Sequence, residues 1–187
     1  ELDQFAYIAS HDLKAPLRAI TNLAQWIQKD SADGLTPTSQ EHLIKLRARV
    51  ARMERLLEDL LTYSRVGRQR HQPEWVDTAM LIRGLRYILV APPGFRIELQ
   101  MPLPVLHTEQ APLEMILRNL IGNAIKHHDR PAEGVVEITA TERGDWVEFA
   151  VKDNGPGIAP EHHERIFQIF QSLRPRDEVG GSGMGLA

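Results

Sequence analysis

The sequence predicts an α+β protein: an N-terminal two-helix hairpin, then an α/β sandwich of mixed, mostly antiparallel sheet with helices on one face. Three observations carry this. Heptad-spaced apolar positions run through the first 66 residues. A polar break with Gly67 and Pro73 ends that rhythm. Beyond it, helix-spaced and strand-spaced segments follow one another. The expected division is a hairpin at 1–66, a hinge at 67–75 and a sandwich at 76–187.

In the first helix Leu13, Leu17, Ile20, Ala24 and Ile27 step by four and three. In the second, Leu46, Val50, Met53, Leu57, Leu60 and Ser64 do the same. Between them "KDSADGLTPTSQEH" (29–42) is rich in turn residues. Thr36 or Thr38 is placed to cap the second helix, with Glu41 three residues after Thr38 as a capping box. Two helices close only a thin core, so a homodimeric four-helix bundle is the natural completion. After the break, 78–90 reads as a helix and "FRIELQ" (95–100) alternates as a strand. Residues 111–128 form an amphipathic helix with Leu113, Ile116, Leu117, Leu120, Ala124 and Ile125 inward. Val136, Ile138 and Ala140, then Val147, Phe149 and Val151, mark a hairpin around the turn "ERGD".

Composition narrows the function classes. A net charge of −3 gives no basic field for nucleic acid, and the absence of cysteine removes disulfide and thiolate chemistry. No apolar run approaches the roughly 20 residues of a membrane span. Residue 1 falls within a helix already under way and residue 187 stops inside a glycine motif. The chain therefore reads as a fragment, truncated at its C-terminus.

Four local features bear chemistry. His11 and Asp12 are followed by Pro16 in "FAYIASHDLKAPLRAI" (5–20), although an interior proline costs a helix about 3 kcal/mol. His11 sits one residue past the seam, so it is either a partly packed surface histidine or a reachable nucleophile. "DNGPGIAP" (153–160) follows a strand and is either an ordinary loop or a glycine turn that admits a ligand. "GGSGMGLA" (180–187) suits a turn into a phosphate-binding helix N-terminus, though it is not a P-loop. On the 111–128 helix, Asn119 and Asn123 share a face, with Glu114 and Lys126 nearby. That set is either a solvated face or two carbonyl donors for Mg²⁺ with a lysine for phosphate. The pairs His127–His128 and His162–His163 are poor chelates, because adjacent helical side chains diverge by about 100°.

Together these features resemble the catalytic core of a sensor histidine kinase of a two-component system. "SHDLKAPL" resembles the H-box, "NLIGNAIKH" the N-box, "DNGPGI" the first G-box, "RIFQIFQSL" the F-box and "GGSGMGLA" the second G-box. The phrase "IFQSLRPRDEVGGSGMGLA" looks most like the lid of phytochrome-like and related hybrid kinases. The resemblance implies a dimerisation and histidine-phosphotransfer hairpin followed by an ATP-binding domain. It makes His11 the phosphoacceptor and Asp12 its general base, with Pro16 bending the helix below. It assigns Mg²⁺ to Asn119 and Asn123, with Glu114 aiding metal or water placement. Lys126 would contact phosphate. Asp153 would accept from the adenine amino group.

Gly155, Gly157, Gly181, Gly183 and Gly185 would shape the phosphate and lid turns, with Ile158, Phe170 and Leu186 also at the nucleotide. Phe167 and Phe170 would anchor a lid helix. The implied activity is ATP-dependent autophosphorylation on His11 and transfer to an aspartate of a response regulator receiver domain. An upstream sensor and a cytoplasmic location for the catalytic part follow, with neither nucleic acid nor membrane contact. The alternatives are a nucleotide-binding dimeric scaffold without turnover and a DNA-linked ATPase of the same fold. Two positions depart from the family: Ala15 where Thr or Asn often assists dephosphorylation of the regulator, and His127 where Tyr or Phe often faces adenine. The first implies weak phosphatase activity and the second an altered nucleotide affinity.

Overall fold

The structure, a computed structural model, describes residues 2–31, 34–66, 72–168, 171, 173 and 183–186, with side chains for all but 2–12 and 62–66. The chain divides into two compact units, Glu1–Gln69 with Ile169–Met184, and Arg70–Gln168 with Gly185–Ala187.

The first unit is built on an antiparallel pair, α1 (Leu2–Asp30) and α2 (Pro37–Val66). Lys14 Nζ meets Glu58 Oε1 at 3.2 Å, and Arg47 donates to Gln28 Oε1 at 3.1 Å, which fixes the register across the hairpin. Pro16 lies inside α1. The cap of α2 is Thr36. Its Oγ1 accepts from Ser39 N–H at 3.2 Å, and Pro37 follows as the first helical residue. The box expected between Thr38 and Glu41 does not form, since Thr38 is already inside the helix. Glu41 instead pairs with Lys45 at 2.6 Å.

Of the expected seam residues whose side chains are described, only Leu17, Ala24 and Val50 are buried, joined by Leu61 in place of Leu60. Leu13, Ile20, Ile27, Leu46 and Met53 stay exposed. Each helix of a pair buries one stripe against the other, and the second layer of a heptad seam needs further helices.

The second unit runs β1 (Glu74–Asp77), α3 (Thr78–Ile88), β2 (Arg96–Leu99), β3 (Val105–Thr108), α4 (Gln110–Lys126), β4 (Val135–Arg143) and β5 (Trp146–Asp153). β2 pairs parallel to β4, and β4 pairs antiparallel to β5 in a three-stranded sheet. The β4–β5 hairpin turns at Gly144, whose φ of +62° is the left-handed conformation that glycine adopts freely. Ile82 and Leu85 of α3, Leu117 and Ile121 of α4, and Val136 and Ile138 of β4 are all but fully buried in one core. Two details differ from the sequence reading of α4. Ile121 belongs to the core, and Ile116 is exposed. With the buried stripe centred on Leu117, Ile121 and Ala124, Ile116 lies about 100° outside it.

β1 and β3 form a separate antiparallel pair that the sequence pattern did not reveal. β1 begins within the segment read as hinge. It leads straight into α3, where Asp77 Oδ1 caps the helix by accepting from Met80 N–H at 3.0 Å. Thr78 Oγ1 donates to Pro104 O at 2.7 Å and ties that start to the approach to β3.

Candidate functional site

Helix α4 is the platform of the site. Its apolar stripe is held in the core, so the opposite side must carry Asn119 and Asn123 outward. Both are half-buried and one turn apart. Lys126 is exposed in the last turn. Glu114 is not on this face. Five residues from Asn119, it is rotated by about 140° and lines a groove of about 420 Å³ with Trp75, Met80 and Leu81.

The second glycine cluster reaches α4. A Cβ built on Gly185 would stand 3.6 Å from Asn119 Cγ, an ordinary packing distance. The backbone there passes directly beside the asparagine. Within the first unit, Gly183 has φ +74°, and a Cβ on it would collide with Gln171 O, so no other residue fits. Leu186 is half-buried. Gly181 and Phe170 lie outside the described residues.

The first glycine turn begins at the end of β5. Asp153 is exposed, and its Oδ1 accepts from Gly155 N–H at 2.9 Å. A Cβ on Gly155 would meet that same oxygen at 2.8 Å, so a larger residue would push the carboxylate aside from this bond. Gly157 has φ +70° and open space around it, and Ile158 is exposed. Asn154, which the sequence reading left without a role, is the most heavily bonded residue of the turn. Its Oδ1 accepts from Val135 N–H at 2.7 Å and its Nδ2 donates to Glu133 O at 3.1 Å. Its backbone N–H donates to Val135 O at 3.2 Å.

His128 supplies the fourth contact. Its side chain is wholly buried, with Nε2 2.9 Å from Asn154 Oδ1. Nδ1 accepts from Arg130 N–H at 3.0 Å. An amide oxygen on one side and an N–H on the other assign the proton to Nε2. The Asp129 carboxylate, 3.7 Å from Nδ1, therefore faces an unprotonated nitrogen and forms no ion pair with it. Phe95 packs edge-on to the ring at 5.6 Å. His127, in contrast, is half-buried at the C-cap of α4. The other histidine pair has separate partners: His163 Nε2 bonds Ile158 O at 3.0 Å, and His162 lies 3.7 Å from Glu161.

The expected lid helix is not seen among the described residues. Arg165–Phe167 forms a single 3-10 turn, and Phe167 is exposed rather than packed. His11 and Asp12 lie on α1 but their side chains are outside the described ones. Ala15, one turn beyond His11, is exposed. No helix among the described residues is long and apolar enough to cross a membrane.

Residues 1–69 match the His Kinase A (phospho-acceptor) domain. Residues 108–187 match the histidine kinase-, DNA gyrase B- and HSP90-like ATPase. The chain belongs to the sensor histidine kinases. This kinase core is 35% identical over its whole length to the phytochrome-like protein Cph1 of Synechocystis sp., and 37% identical to cyanobacterial phytochrome A of Nostoc sp.. It spans 25% of the length of each. The structure of full-length ShkA in complex with AMPPNP superposes with a TM-score of 0.65 at 27% identity. The match covers 98% of this chain and 39% of that one. Histidine kinase AdeS of Acinetobacter baumannii shares the fold, with a TM-score of 0.60 at 20% identity, over 94% of this chain and 83% of that one.

Proposed function

We propose that the chain is the catalytic core of an ATP-dependent protein-histidine kinase that phosphorylates His11 and passes the phosphoryl group to an aspartate of a response regulator receiver domain. The observation that carries this is the meeting of Gly185 with Asn119. It unites the second glycine motif with the asparagine helix, in a chain whose other unit bears "SHDLKAPL".

The chemistry follows from the residues. Asp12 takes the proton from one ring nitrogen of His11 as the other, unprotonated ring nitrogen bonds to the γ-phosphorus. The bond from that phosphorus to the β–γ bridging oxygen breaks, and ADP leaves with the electron pair. Asn119 and Asn123 offer half-buried amide oxygens on one helix face, a hard donor set that fits Mg²⁺. When bound, that ion neutralises charge on the phosphate oxygens. Lys126 contacts phosphate, and Asp153 accepts from the adenine amino group with its carboxylate held by Gly155. Ile158, Leu186, Phe170 and His127 border the nucleotide, and the glycine turns let the backbone approach the phosphates. Glu114, set apart from the asparagine face, acts on metal or water only from a distance.

The remaining assignments rest on the two-unit organisation, hairpin 1–66, hinge 67–75 and ATP-binding domain 76–187. His11 belongs to one unit and Asn119, Asn123 and Asp153 to the other, so transfer couples the two. Leu13, Ile20, Trp26, Ile27 and Met53 leave an apolar stripe on the hairpin that a second copy covers as a four-helix bundle. Among kinases of this fold, ThkA has been crystallised in complex with the response regulator protein TrrA. Exposed surface near His11 is the corresponding docking region here. Relatives four times longer fit an upstream sensor in the parent protein, with this core in the cytoplasm.

The test is incubation with γ-labelled ATP and Mg²⁺ beside His11→Gln. Acid-labile, base-stable label on the unaltered chain only supports the proposal. Nucleotide binding with no label on either protein makes the chain a scaffold instead.

A further inference from the structure

We propose that His128 is a positioning residue that sets nucleotide-base specificity, by locking the Asp153–Gly155 turn to the end of the helix that carries Asn119 and Asn123. The proposal rests on the reading of Asp153 as the adenine acceptor.

The β4–β5 ladder ends at the pair Val136–Asp153. One step further, Asn154 replaces the missing strand pairing with its side chain. It holds Val135 through both N–H and C=O, and holds Glu133 through its amide nitrogen. These bonds fix the turn to its own sheet but not to α4. The core packing of Phe149 and Val151 holds β5 to α4, and the His128 side chain adds a directional bond from the end of α4 to the turn itself. His128 lies two residues beyond Lys126, the last residue of α4, and its Nε2–H reaches Asn154 Oδ1. Its other nitrogen is anchored by Arg130 N–H, so the ring cannot turn without losing a second bond. Phe95 closes the remaining edge. The ring is dry and fully partnered, a setting in which a lost hydrogen bond leaves buried groups unsatisfied.

The consequence is geometric. Phosphates are held from α4 and the second glycine turn, and the base is read from β5. A purine nucleotide has one fixed span between its amino group and its phosphates. The spacing of Asp153 from Asn119 must match it, and His128 ties the residue after Asp153 to the end of the asparagine helix. Loosening the tie leaves the carboxylate intact but no longer held at that spacing. Discrimination between bases then falls more than phosphate binding does.

Two amide variants separate the bonds. His128→Gln carries a donor as many bonds from the backbone as Nε2, and so can still reach Asn154. His128→Asn stops at the position of Nδ1, and so serves Arg130 N–H but not Asn154. ATP and GTP dissociation constants are measured on the full chain for both, with Asp153→Ala as reference. Expected is an ATP preference near that of the unaltered chain in His128→Gln, and one reduced about tenfold in His128→Asn, through weaker ATP rather than tighter GTP binding. Equal preference in the two variants, with the preference lost in Asp153→Ala, overturns the role of His128. A preference that survives Asp153→Ala overturns the adenine reading itself and the proposal with it.

Discussion

The two units solve the problem of burying apolar surface differently. In the α/β unit, residues such as Ile82, Val136 and Ile138 are 0% exposed, and two helices and a sheet close the core without help. In the hairpin, Ile20 is 41% exposed, Ile27 49% and Trp26 58%, although all three lie on the heptad-spaced side of α1 or next to it. Asn119, Asn123, Asp153 and Gly185 belong to the unit that is complete in itself. His11, the proposed phosphoacceptor, belongs to the unit that leaves its seam exposed. On the proposed function, ATP binding belongs to a folded unit, while presentation of the nucleophile depends on assembly, where a signal from upstream can act.

The sharpest way to separate the units is by activity. His11→Gln should abolish labelling while ATP affinity stays unchanged, and Asn119→Ala should lower labelling about a hundredfold or more with weakened nucleotide binding. Filter-binding and labelling assays on the same preparations check both. Stability separates them next. Ile121→Ala should cost the α/β unit roughly 2–5 kcal/mol and leave the hairpin's transition where it was, as denaturant melts followed in the near and far ultraviolet will show.

Ala15→Thr tests a change confined to the hairpin. Restored dephosphorylation of a phosphorylated receiver domain, with autophosphorylation unaltered, is expected, because the hydroxyl supplies the hydrogen bond that alanine lacks. Unchanged dephosphorylation would remove Ala15 as the cause.

The smallest effect belongs to Glu41. The hydrogen bond and charge of Lys45 hold its carboxyl below the usual range. A depressed pKa stabilises above the unfolded value and is lost as pH falls through the folded one. The pair is fully exposed, however, so Glu41→Gln should melt within error of the unaltered chain at neutral pH and converge with it in acid.

Much of this was legible in the sequence. The hairpin, α3, α4 and the β4–β5 pair follow from periodicity, because each has enough residues to display a repeat. β1 and β3 were not legible, since four-residue strands flanked by prolines show too little alternation. Asn119 and Asn123 could be read as a pair because helical spacing alone puts them on one face. The same arithmetic, applied to Glu114, separates it from them although it lies on the same helix. His128 and Asn154 were missed for a different reason. They are 26 residues apart, and their bond exists only because the β4–β5 hairpin brings the end of β5 back to the loop after α4. The hydrophobic seam shows its period in the sequence but not its occupancy, since two helices bury only one stripe of each against the other and leave Leu13, Ile20, Ile27, Leu46 and Met53 exposed.

The most direct test of the central contrast is thermal unfolding of the chain over about a hundredfold range of concentration, with sedimentation at each end. The account predicts a helical transition that rises with concentration, a sheet transition that does not move, and a dimer at the upper end. Two concentration-independent transitions from a monomer would contradict it, and the exposed stripe on the hairpin would then need another partner.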